Sequence, residues 1–343
     1  MSDINITALE RWLQSHIDCF AGPVEIDQFQ GGRSNPTYKL SSPTHTLVMR
    51  TKPGPASQLL RSAHAIEREF RLMSVLKQTD VPVPKLYCLC DDESVIGRAF
   101  FVMEFIAGRV LFEQSLPGLE PSERTAIFDE ANRVIAKLHG VDWQGLGLSD
   151  FGRPGNYFAR QIDRWSKQYR ACSTDTVDAM DRLIEWLPGN IPSGDETTLV
   201  HGDYRLDNLI FDSAKPEVRA VLDWELSTLG HPLADFSYHC LTWHLSPQLF
   251  RGAAGLNHAE LGIPSEAEYV RSYCERTGRK LSDVMENWNF YIAYNLFRLA
   301  AILQGVARRT ADGMSASAGA LDEGKRVRPL AELGWNIARY PRG

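Results

Sequence analysis

The sequence predicts an α+β fold with a small β-rich amino-terminal lobe and a larger, mostly helical carboxy-terminal lobe, on three observations. Between residues 24 and 106, short runs rich in β-branched and aromatic residues are separated by Gly, Pro and Asn, the texture of strands and turns. From residue 122 onward, apolar residues recur at three- and four-residue spacing over long stretches, as they do in amphipathic helices. Two apolar strands interrupt the helical region near residues 199–223 and carry a group of His, Asp and Asn side chains.

Each element has its own reason. Ile6, Leu9, Leu13 and Ile17 place an amphipathic helix over residues 6–18. Residues 24–29, the segment FQGGRSNPTYKL and the segment HTLVMRT follow as strands, with Gly31-Gly32-Arg33-Ser34-Asn35 as the turn inside the second. Without Cβ atoms, the glycines let backbone amides approach an anion; an ordinary hairpin turn explains them equally well. Leu59, Ala63, Ile66, Phe70 and Met73 share one face and predict a helix over residues 58–76. Glu67 and Glu69 flank that stripe on opposite sides, and periodicity does not choose between them. Pro82 and Pro84 enforce extended chain, and residues 98–106 read as a buried strand. Helices are predicted over residues 122–138, in RPGNYFARQIDRWSKQYRAC, in DAMDRLIEWLPGN, and over 266–277 and 284–309. A last helix ends the chain in LAELGWNIARY, after a polar, Gly- and Ala-rich loop at 310–324.

Composition narrows the class of function. The chain has 343 residues, 43% hydrophobic and 23% charged, which suits one large or two modest globular domains. A net charge of −6 argues against nucleic acid or an anionic membrane as partner and leaves the oligomeric state open. The six cysteines, Cys19, Cys88, Cys90, Cys172, Cys240 and Cys274, lack the paired spacing of a zinc site and suggest a reducing, cytoplasmic setting. No signal peptide is evident, and no uncharged run approaches the length of a membrane span. His231, His239 and His244 lie close in sequence without metal-ligand spacing.

The chemistry is concentrated in LVHGDYRLDNLIFDSAKPEVRAVLDWELSTLGHPLAD, residues 199–235. It holds Asp203 in a His-Gly-Asp turn, Asn208 five positions later, and Asp223 at the end of the next strand. A carboxylate to receive a hydroxyl proton, and an amide oxygen with a second carboxylate to hold magnesium, are what phosphoryl transfer from a magnesium nucleotide requires. The spacing is similar to the catalytic loop and metal-binding Asp of protein kinases, with Gly in place of Arg and Asp-Trp-Glu in place of Asp-Phe-Gly. It resembles still more the His-Gly-Asp, Asn and Asp-Trp signature of the aminoglycoside phosphotransferase family, which has the protein-kinase-like fold and phosphorylates small molecules. The likeness runs over roughly residues 29–309. It is strongest to the kinase-like domain associated with acyl-CoA dehydrogenases, by the GG-x-SN-x-TY turn, LVMR-x-KPG, VPVPK and SVIGRAFFVMEFIAGR.

That resemblance implies lobes at residues 1–104 and 105–343, with ATP and Mg2+ bound. It makes Asp203 the base and Asn208 and Asp223 the metal ligands. Gly31, Gly32, Ser34 and Asn35 would lie at the phosphates, and the backbones of Glu104 and Ile106 at the adenine. Arg50 stands where the family has Lys; Lys52, two residues on, shares its strand face, so either is a candidate for the phosphates. Between the two glutamates, Arg68-Glu69 before Leu76 and VPVPK matches the family helix and selects Glu69. His231 departs from the usual Gly-Asp-Pro turn. The expected activity is ATP-dependent phosphorylation of a small-molecule hydroxyl, such as a hydroxyacyl-CoA type metabolite; an aminoglycoside or a choline-type alcohol is the alternative. A regulatory pseudokinase is a competing class, left open by Arg50 and opposed by the intact Asp203, Asn208 and Asp223. A protein kinase lacks support because no Ala-Pro-Glu segment follows Asp223.

Overall fold

Short apolar and aromatic runs in the first hundred positions build an antiparallel sheet whose central strands are largely buried, with a helix against each face. In the computed structural model, which describes residues 4–29, 35–53, 66–173, 175–311 and 324–340, this sheet contains β1 (Glu25–Gln28), β2 (Thr37–Ser41), β3 (Thr46–Thr51), β4 (Leu86–Cys90) and β5 (Phe100–Glu104). Its order is β1-β2-β3-β5-β4. On one face, Leu47 and Met49 of β3 and Phe100 and Val102 of β5 are buried in one cluster with Leu9 and Leu13 of α1 (Ile6–His16). The opposite face carries Arg50, paired in register with Phe101, whose ring lies 5.9 Å from Phe70 of α2 (Ile66–Leu76). The first eight residues of the helix predicted at 58–76, with Leu59 and Ala63, lie outside the described residues, as do Gly31, Gly32 and Ser34. A second small sheet joins β6 (Arg109–Val110) to the later strands β8 (Leu209–Phe211) and β9 (Val218–Val221). Residues 1–110 and 208–226 therefore form one unit, and residues 111–207 and 227–343 another.

The second unit is mostly helical: α3 (Pro121–His139), α4 (Tyr157–Cys172), α5 (Asp178–Gly189), α6 (Pro232–His239), α7 (Pro247–Phe250), α8 (His258–Leu261), α9 (Glu266–Thr277), α10 (Leu281–Glu286), α11 (Trp288–Ala311) and α12 (Val327–Arg339). A two-stranded ladder of β7 (Thr198–Val200) and β10 (Thr228–Gly230) brackets the loop that carries the His-Gly-Asp turn. Helix α11 runs through the core and packs on α4, α6 and α12. It is long and apolar enough to cross a membrane, yet most of its apolar window is buried within the protein. The continuous helix predicted over 284–309 is a correction: Asn287 caps α10 and the chain restarts at Trp288. The break turns the Trp288 indole inward, where Nε1 donates to Glu266 Oε1 at 2.9 Å. Helix α9 opens with a capping box in which Ser265 and Glu268 satisfy each other's backbone amides.

Candidate active site

The first unit gathers a cation and three carboxylates beside β3. Arg50 Nη2 lies 2.5 Å from Asp223 Oδ1 and 3.6 Å from Glu225 Oε2, while Nε lies 3.1 Å from Glu69 Oε2. Burial works against the Arg50 charge, but Glu69, Asp223 and Glu225 more than offset it and the guanidinium is held more firmly protonated than in water. Glu69 is pushed up to about 7, first by burial and further by Asp223, against the pull of Arg50. Asn35 Nδ2 donates to Glu69 Oε1 at 3.0 Å and to Glu225 Oε2 at 3.4 Å, and its buried Oδ1 is left without a partner. Periodicity left Glu67 and Glu69 equivalent; in the fold Glu69 is buried against Arg50, while Glu67 pairs with Lys52 near the surface. Lys52 does not join the Arg50 cluster.

Asp223 holds a φ of +64°, a left-handed conformation that Asp tolerates better than most residues. The Trp224 indole pins the turn by donating to the Val221 carbonyl at 2.9 Å. Asn208 closes a 3-10 turn over Leu206–Asn208, and its carbonyl accepts the amide of Leu222, the residue before Asp223, at 2.8 Å. Among the described residues, no group of three or more His, Cys, Asp or Glu forms a protein-built metal cage. An amide oxygen and a carboxylate are the sparse, hard donors that suit Mg2+, which takes the rest of its shell from phosphate and water. Glu104 ends β5, its amide donating to the Lys85 carbonyl at 2.8 Å, and Ile106 follows half-buried.

The second unit holds the His-Gly-Asp turn. Gly202 has φ +85°, which a side chain would strain. The buried carboxylate of Asp235 accepts the amides of His201 at 2.7 Å and Gly202 at 2.8 Å, and meets His139 Nε2 at 3.2 Å. Burial would raise the Asp235 pKa, yet the His139 contact and these donors hold it below the usual carboxylate value. His139, which ends α3, is thereby committed to structure, with Nδ1 on the Tyr273 hydroxyl at 2.7 Å. The Asp203 amide donates to His201 Nδ1 at 3.2 Å, and Arg205 Nε lies 3.4 Å from Asp203 Oδ1. His231 caps α6, its Nδ1 accepting the Leu233 amide at 3.2 Å. That gives the unusual His-Pro turn a reason: neutral imidazole supplies the acceptor an N-cap needs, and burial lowers its pKa to about 4.

The profile of the phosphotransferase enzyme family matches residues 25–269. The chain belongs to that family. It is 49% identical over 334 residues to acyl-CoA dehydrogenase family member 10 of Mus musculus, across 96% of this chain and 31% of that protein. Human acyl-CoA dehydrogenase family member 11 is 40% identical, across 97% of this chain and 43% of that protein. The chain thus spans less than half the length of these relatives. A crystal structure from Ralstonia eutropha JMP134, provisionally described as an aminoglycoside phosphotransferase, is 56% identical with a TM-score of 0.88, covering 98% of this chain and 99% of that one. Its neighbours share the kinase-like architecture expected from the sequence.

Two residues near Asp203 escaped the sequence reading. Arg298 of α11 donates from Nη2 to the Gly202 carbonyl at 2.6 Å, and its guanidinium carbon lies 5.0 Å from the ring centroid of Tyr238 of α6. Arg298 had a usable signal: it is the sole charged residue between positions 288 and 303, in an otherwise core-forming helix. Tyr238 had none, because an aromatic residue in a buried helix reads as packing.

Proposed function

We propose that this phosphotransferase is an ATP-dependent kinase for the hydroxyl of a small molecule, with a hydroxyacyl-CoA type metabolite as the first candidate acceptor. The observation that carries the reading is the Arg50, Glu69 and Asp223 cluster, because a buried cation clamped by a helix glutamate beside a metal-suited carboxylate is the arrangement that orients nucleotide phosphates. Asp203 accepts the proton of the acceptor hydroxyl as its oxygen bonds to the terminal phosphorus and the bond to the leaving diphosphate breaks. Asn208 and Asp223 hold Mg2+, which neutralises charge developing on the phosphate oxygens. Arg50, steadied by Glu69, orients the phosphates, with Asn35 beside them; the backbones of Glu104 and Ile106 receive the adenine edge. In this reading Lys52 is peripheral, since it is engaged by Glu67.

The acyl-CoA class is suggested by the names of the relatives, which are acyl-CoA dehydrogenase family members. A screen of Mg-ATP consumption against hydroxyacyl-CoA thioesters, cholines, sugars and aminoglycosides tests the acceptor. With the acceptor in hand, Asp203→Asn keeps size and hydrogen bonding but loses the proton acceptor. Turnover is expected to fall roughly 10²- to 10⁴-fold while Mg-ATP affinity holds. A variant turning over at the wild-type rate would remove Asp203 from the chemistry.

A further inference from the structure

A small cavity in the second unit gathers arginine. Arg205, Asp207, Phe112, Phe250 and Arg251 line it around about 30 Å³ of space, room for the tip of a ligand rather than the whole of one. Asp207 Oδ2 lies 2.9 Å from Arg205 Nη2 and 3.7 Å from Arg251 Nη1, so two guanidiniums share one carboxylate. Arg205 Nε also approaches Asp203 Oδ1 at 3.4 Å, which puts the cavity one guanidinium away from Asp203. A third cation stands close by: the guanidinium carbons of Arg205 and Arg326 each lie 5.9 Å from the ring centroid of Phe250. Three arginines are thus set against two carboxylates, and both carboxylates already have a guanidinium partner.

The interior and the rim offer different chemistry. Asp207 Oδ1 is buried without a hydrogen-bond partner, so the interior has an acceptor to offer a hydroxyl or a water. At the rim, Phe112 is 60% exposed and the Arg251 side chain 59%, which leaves most of the five guanidinium donors of Arg251 to solvent. A cationic ligand would have to displace guanidiniums from Asp207 and would face Arg326 as well. An anionic one adds charge-assisted hydrogen bonds to donors already in place, and a planar guanidinium suits both carboxylate and phosphate.

We propose that this cavity is part of the acceptor site and that Arg251, with Arg205 and Arg326, selects an acceptor carrying an anionic group, carboxylate or phosphate, on the same molecule as its hydroxyl. The proposal rests on the reading of the protein as a small-molecule kinase with Asp203 as the base. It narrows that reading, because aminoglycosides and cholines are cations and meet arginines here. Phe112 and Phe250 supply apolar cover for the part of the acceptor beside the anion.

Binding is measured first, since it needs no turnover. The full chain, saturated with Mg-ADP to fill the nucleotide site, is titrated by calorimetry with coenzyme A, which brings phosphates, 3-hydroxyoctanoate, which brings a carboxylate, and kanamycin, which brings amines. At least one of the two anions should bind. Arg251→Glu should weaken that binding roughly 10- to 100-fold, the worth of a hydrogen bond to a charged group, and Arg251→Lys should keep most of it. An effect on coenzyme A alone assigns a phosphate, and one on 3-hydroxyoctanoate alone a carboxylate. Because Arg251 is largely exposed, unchanged melting temperatures should show that both variants fold. Failure of both anions to bind, equal affinity in Arg251→Glu and wild type, or kanamycin binding more tightly than either anion would overturn the proposal. In the consumption screen, an anionic acceptor whose KM rises in Arg251→Glu with kcat little changed supports it. A neutral or cationic acceptor turned over equally by wild type and Arg251→Glu would sink it and leave the kinase reading intact. No turnover with any acceptor would remove the kinase reading and the acceptor role with it, leaving the titration to decide the anion site by itself.

Discussion

Arg50 is the cation among Glu69, Asp223 and Glu225, so deleting it leaves like charges facing one another in a largely buried place. Breaking such a pair by removing one partner costs about 3 kcal/mol or more. Arg50→Ala should therefore shift the urea midpoint markedly and weaken Mg-ATP binding in calorimetry. Lys52→Ala removes a pair whose side chains are 37% and 40% exposed and should change stability by less than about 1 kcal/mol with nucleotide affinity intact. The reverse ranking would move the phosphate-orienting role to Lys52. Strand alternation gave both residues the same face, and only the pairing of Lys52 with Glu67 separates them, a choice that depends on where α2 docks.

Individual elements differ in how far they could be read from sequence. The strands β3 and β5 were legible because their apolar and aromatic content and their length are local properties, and the His-Gly-Asp turn because Gly202 is tied to a positive φ. Glu69 could not be separated from Glu67 by periodicity, since both border the apolar stripe of α2; burial against Arg50 distinguishes them. The break at Asn287 was equally hidden, because Glu266, the partner that receives Trp288, comes from a different helix. The cap of α6 gives a test at this scale. His231→Asn preserves a side-chain acceptor for the Leu233 amide and should keep most of the stability, whereas His231→Ala should lose about 1–2 kcal/mol more in urea unfolding. Equal losses would show that ring packing against Phe158 and Tyr291, rather than the cap, holds His231.

For the whole molecule, buried histidines set the response to acid. Burial lowers the pKa of His239 and of His231 from 6.5 to about 4. Below pH 6.5 the unfolded chain takes up protons that the folded one refuses. The share of stability these two imidazoles hold is thus full above that value and declines as pH falls towards 4, by about 2 kcal/mol per histidine at pH 5, while Glu69, held near 7 in the fold, gains stability over the same range and offsets part of the decline. Urea unfolding across this range should show the slope, and His239→Leu should flatten it whatever its starting stability. A wild-type midpoint constant from pH 6.5 to 5 would contradict the buried, neutral imidazoles. The return of residues 208–226 to the first unit has a consequence of another kind, for synthesis. A ribosome that has released the first 110 residues has delivered the five-stranded sheet with Arg50 and the helix with Glu69, but not Asp223, nor β8, which pairs with β6, nor β9 beyond it. The nascent chain must wait until position 226 emerges before that half is complete, while nearly a hundred residues of the other half are already outside. Truncation after residue 110 accordingly yields a fragment missing part of its own sheet rather than an autonomous module.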